Sequence, residues 1–81
     1  MHYSDGNKIL LGDLVTLGGG MNGVIVCDFE EENFAQGYNK SEWKEFKKGI
    51  MVESSQAGLI YYEEEFFDLT LVKRAGIEPY Q

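Results

Sequence analysis

Eight of the fourteen carboxylates in this 81-residue chain fall into two short clusters. Asp28, Glu30, Glu31 and Glu32 form the first, and Glu63, Glu64, Glu65 and Asp68 the second. Carboxylates grouped in this way support two kinds of chemistry. One is binding of a hard cation, but neither cluster has the alternating Asp/Asn spacing or the sharp-turn glycine of a dedicated calcium loop, so no metal is expected. The other is the steering of a basic partner, with aromatic side chains among the charges as anchors: Phe29, Phe34, Tyr61, Tyr62, Phe66 and Phe67. The partner-binding candidates are therefore Asp28, Glu30, Glu31, Glu32, Tyr62, Glu63, Glu64, Glu65, Phe66 and Asp68. The plain alternative is two hydrated loops.

Other reactive residues are few. Catalysis needs a positioned acid, base or nucleophile, and the chain offers one histidine, His2, beside the terminus, and one cysteine, Cys27, inside an apolar run. Cys27 is expected to pack as a buried thiol, and a single cysteine suits a reducing compartment. The run Gly18-Gly19-Gly20-Met21-Asn22-Gly23 resembles a phosphate-binding loop only superficially, because a strand follows it where such a loop would open onto a helix. No enzyme activity and no cofactor is expected. A net charge of −7 has the wrong sign for direct binding to nucleic acid or anionic lipid, and suits docking on a basic protein. No basic-then-apolar leader and no apolar window of membrane-spanning length is present in the sequence, which points to the cytoplasm.

The elements that must position these residues are short strands. The glycine-rich run joins two apolar, β-branched segments, residues 14–17 and 23–30, and supplies the positive φ angles of a tight reversal. A turn over 4–7 and a first strand over 8–11 precede them. Residues 31–39 read as a loop. Residues 41–49 read as one short helix or 3-10 turn, with Ser41 as cap, Trp43 and Phe46 on one face as cover for the sheet, and Lys40, Lys44, Lys47 and Lys48 as a basic stripe able to pair with the glutamates. Strands over 50–54 and 59–62 form a second hairpin, and 66–72 bends into a last strand. The expectation is one domain, its core about 5–74 with a tail over 75–81, mainly β: a strongly bent antiparallel sheet or small barrel of five to six strands. An open α+β sheet, with a helix near Trp43 over one face, is the runner-up.

The spacing Asp5-Gly6, Leu11-Gly12-Asp13-Leu14-Val15, Gly23-Val24-Ile25-Val26, Trp43, Gly49-Ile50-Met51-Val52, Gly58-Leu59-Ile60-Tyr61-Tyr62 and Leu71-Val72-Lys73-Arg74 resembles small bacterial SH3-like β-barrel proteins. Several of those are immunity proteins encoded beside secreted antibacterial toxins. The resemblance implies an SH3-like barrel and a non-enzymatic, cytoplasmic binding protein that neutralises a cognate toxin by occluding its basic active site. The toxins the resemblance implies include nucleases of the type VI secreted kind, whose basic substrate groove an acidic protein could fill. The competing expectation is a small regulatory or scaffold domain that binds a peptide or protein of its own cell, including a second copy through an exposed strand edge.

Overall fold

The computed structural model describes residues 1–64 and 68–75, and its architecture is mainly β. Six strands form one antiparallel sheet: β1 (Leu14–Gly18), β2 (Met21–Asp28), β3 (Asn33–Phe34), β4 (Ile50–Ser54), β5 (Gly58–Tyr62) and β6 (Thr70–Lys73). The order across the sheet is β5-β4-β2-β1-β6, with β3 beside the far half of β2. Among the described residues a single 3-10 turn, Lys40–Trp43, stands at the start of the expected 41–49 element; its cap position is Asn39 and not Ser41, with no side-chain capping hydrogen bond.

The β1–β2 reversal follows directly from its glycines. Gly18, Gly19 and Gly20 all have positive φ (92°, 64° and 81°), a region closed to most side chains, so the strands run up to Gly18 and Met21 and only two residues remain as the loop. β2 is the longest strand and the centre of the sheet, pairing β1 and then β3 on one side and β4 on the other. Gly23 sits where β4 comes closest. A Cβ there would lie 2.5 Å from Val52 Cγ1, so only glycine fits.

An irregularity in the β2–β4 register between Ile25 and Cys27 changes which way β2 faces. Strict alternation would put Val26 opposite in facing to Cys27 and Phe29. The extra residue of the bulge lets Val26, Cys27 and Phe29 join one cluster while Ile25 stays in the other. Five residues in a row, Ile25 to Phe29, are buried as a result.

Both faces of the sheet therefore carry apolar cover. The first cluster gathers Tyr3, Ile9, Val15, Leu17, Ile25, Ile50, Val52 and Leu69. Ile60 and Tyr62 from one edge strand and Leu71 from the other pack against it, so the sheet curls round this cluster. The second cluster lies on the opposite face, under Phe34, Ala35, Tyr38, Trp43 and Phe46 from the excursion between β2 and β4.

Residues 8–11 do not form the expected first strand. The chain end folds back in a tight loop: Tyr3 N–H donates to Asn7 O at 2.8 Å, Ile9 N–H to Met1 O at 2.9 Å, and His2 and Lys8 make an isolated bridge. The loop inserts Tyr3 and Ile9 into the first cluster, so the core begins before residue 5. The expected turn over 4–7 is its tip. Residues 66 and 67 of the expected last strand, and 76–81 of the expected tail, lie outside the described residues.

Candidate functional site

The candidate surface is built where β5 meets the segment leading into β4. Alternation along β5 turns Ile60 and Tyr62 toward the first cluster and leaves Leu59 and Tyr61 on the outer face, 47% and 36% exposed. Gly49, with φ 92°, passes so close beneath Tyr62 O and the Glu63 backbone that no side chain fits. That close approach brings three neighbours together. The Tyr61 hydroxyl donates to Lys48 O at 2.7 Å, Gly49 O accepts from Phe29 N–H at 3.0 Å, and Gly49 N–H donates to a Glu30 carboxylate oxygen at 3.4 Å.

Aromatic rings extend the surface. Phe46 stacks on Phe29 with centroids 5.0 Å apart and meets Tyr61 edge-on at 4.7 Å, an arrangement favoured by the ring quadrupoles. Phe46, Tyr61, Glu45, Lys47, Lys48 and Glu63 enclose an open groove of about 410 Å³. The Tyr61 hydroxyl is held protonated above its ordinary range, first by burial and then by the negative fields of Glu63 and Glu30. One residue from each acidic cluster therefore lies close enough to act on the same tyrosine.

The sequence candidates separate into several groups. Asp28 is not a surface carboxylate: it is 3% exposed, and its Oδ1 accepts the Glu31 N–H at 3.3 Å, holding the turn after β2. Tyr62 is also corrected, because strand alternation turns it inward and makes Tyr61 the outward tyrosine of the pair. Burial and the neighbouring Asp68 raise the Tyr62 hydroxyl's pKa. Glu30 meets the Met1 amine at 3.4 Å, Glu31 pairs with Lys8 at 3.1 Å, Glu32 with Lys40 at 2.6 Å, and Glu63 with Lys48 at 3.9 Å. The Lys40 hydrogen bond and charge hold the Glu32 carboxyl below the usual range. Part of the lysine stripe thus pairs within the molecule. Glu64 and Asp68 are exposed, while Glu65 and Phe66 lie outside the described residues.

The reading from sequence missed a buried charge. Asp13 is 0% exposed, and its Oδ2 accepts from the Tyr3 hydroxyl at 2.6 Å, Arg74 Nη1 at 2.9 Å and Leu10 N–H at 3.0 Å. Arg74 Nη1 also donates to Lys8 O at 2.8 Å, so one guanidinium ties the end of β6 to the terminal loop. Burial, with the Asp13 hydrogen bond next, pushes the Tyr3 hydroxyl far above its ordinary pKa. Asp13 lies in an apolar stretch, which hints at burial, but its partner is 61 residues away and has no local signature.

Cys27 is buried, and burial pushes its thiol up to about 11, leaving little thiolate at neutral pH. His2 is exposed. Among the described residues, no three His, Cys, Asp or Glu side chains come together as a metal site, and no helix is long and apolar enough to cross a membrane. Comparison of the chain with protein-family models, with curated proteins and with solved structures found no match.

Proposed function

We propose that this chain is a non-enzymatic binding protein whose working surface is the acidic, aromatic rim around Tyr61. The observation that carries this reading is the placement of Tyr61, an exposed aromatic on a sheet edge, against Gly49, whose N–H holds Glu30 of the first acidic cluster, and in one groove with Glu63 of the second. Aromatic side chains of this kind anchor an interface, while the surrounding carboxylates accelerate encounter with a basic partner. The chain's net charge of −7 supports the same choice of partner.

The partner we infer is a cognate antibacterial toxin, with the protein acting as a cytoplasmic immunity protein. The meander β1-β2-β4-β5, followed by a β6 that returns beside β1, supports the resemblance to small SH3-like barrels. A nuclease toxin of the type VI secreted kind carries a basic groove for phosphates, and an acidic rim seated there competes with the substrate for the same charges. Protection then needs occupancy of the groove and no chemistry in this chain.

Co-expression with a basic, toxin-like protein encoded beside the gene tests the reading. A stoichiometric complex is expected, with an association rate that falls as salt rises and falls again in the triple variant Glu30→Lys, Glu63→Lys, Glu64→Lys. A complex that forms at the same rate in that variant would sink the assignment of the rim.

A further inference from the structure

Beside the Tyr61 groove, and sharing Phe46 and Lys47 with it, lies a second and more recessed cavity of about 160 Å³. Phe29, Phe34, Trp43 and Phe46 supply aromatic walls. The indole Nε1–H of Trp43 is buried and meets no acceptor among the described residues. No water-sized atom reaches this nitrogen from the cavity, so the indole is a neighbour that reports on the site and not a donor to what fills it.

The charges that line the cavity do not cancel. Glu32 is paired with Lys40 at 2.6 Å, and Glu30 is engaged by the Met1 amine and the Gly49 N–H, both at 3.4 Å. Lys44 and Lys47 also line the cavity, and neither makes an ion pair among the described residues. In a chain of net charge −7, this is a local excess of positive charge at an aromatic-walled cavity. Such a set calls for an acceptor that is itself an anion.

We propose that this cavity binds a small aromatic carboxylate. The ring lies among Phe29, Phe34, Trp43 and Phe46, whose faces and edges suit a further aromatic. The volume agrees, since an apolar cavity of about 150 Å³ holds benzene. The carboxylate accepts the ammonium protons of Lys44 and Lys47, and Trp43 takes part through its ring. The cavity adjoins the acidic rim around Tyr61, with Phe46, Lys47 and Glu30 common to both, but the proposal stands whether or not that rim binds a toxin.

Trp43 is the chain's only tryptophan, so its indole N–H gives a single resolved amide-type signal in a ¹⁵N-labelled sample of the full chain. The probes are benzoate, benzamide as its neutral counterpart, and inorganic phosphate as an anion without a ring. Benzoate is expected to shift the indole signal saturably with a Kd on the order of 1 mM, and more weakly as salt is added. The double variant Lys44→Gln, Lys47→Gln is expected to weaken benzoate by about tenfold with an unchanged melting temperature. The proposal is overturned if benzoate leaves the indole signal unmoved, if benzamide or phosphate binds as well as benzoate, or if the double variant binds as the parent does. The salt dependence and the benzamide comparison need no variant, so a folding defect in the lysine variant does not shield the proposal.

Discussion

The two hydrophobic clusters on either side of the sheet are built from different materials. The first packs Ile9, Val15, Leu17, Ile25, Ile50, Val52 and Leu69 with Tyr3, all of them buried, and places its one charge, Asp13, under three donors. The second has only four buried members, Val26, Cys27, Phe29 and Met51, and covers them with side chains that remain half exposed. Of its cover, Phe34 lies in a two-residue strand and Trp43 in a 3-10 turn, while Ala35, Tyr38 and Phe46 belong to neither. The aliphatic side is closed to solvent, although Asp13 Oδ1 has no donor among the described residues. The aromatic side leaves a groove, a cavity and the Trp43 N–H without an acceptor. The first is expected to carry most of the stability, and the proposed binding surface lies over the second.

Mutations should separate the two. The largest effect is expected at Asp13: replacement by Ala strands the Tyr3 hydroxyl, the Leu10 N–H and part of the Arg74 guanidinium, and should cost about 3–5 kcal/mol in urea unfolding. That is a large share of a small domain's stability. Next comes Ile25→Ala in the first cluster, at about 2–5 kcal/mol, against about 1–2 kcal/mol for Phe46→Ala, whose ring is already half in water. Equal losses for the two would erase the contrast between the clusters.

A smaller effect sharpens the role of Tyr3. Tyr3→Phe should cost about 1 kcal/mol, because Asp13 keeps its other two donors. The two proteins should also differ in alkali. The folded state holds the Tyr3 hydroxyl protonated, so its contribution is complete below pH 10, the ordinary tyrosine value, and drains away as pH rises above it. The Phe variant lacks that loss, and urea midpoints measured across this range would reveal it. The smallest effect belongs to Glu32→Gln: the pair with Lys40 is exposed, and the urea midpoint should not move measurably.

The division between the clusters also explains what the sequence disclosed. The strands over 50–54 and 59–62 and the glycine reversal are legible because apolar runs and turn residues act locally. Strand β3 is invisible because two residues carry no periodicity, and its pairing is made by β2. The bulge at Val26 defeats alternation, and nothing in the local sequence marks it. In β5, Leu59 and Ile60 are both apolar and Tyr61 and Tyr62 are identical, so the phase of alternation is ambiguous; only the pairing with β4 shows that Tyr61 faces out. Residues 8–11 have strand-like composition, yet the reversal that brings Ile9 N–H onto Met1 O uses them as a cap for the core. Asp28 reads as one more acid of a charged cluster, but its turn draws it inside to accept the Glu31 N–H.

Under the proposed function the aromatic face around Tyr61, and not the aliphatic core, meets the partner. The most direct measurement is protection of growing cells against a toxin encoded beside the gene, comparing the parent with Tyr61→Ala combined with Glu63→Lys, and following the urea midpoint of each. Loss of protection, with a midpoint close to the parent's, is the predicted result. Full protection by the folded double variant would contradict the claim.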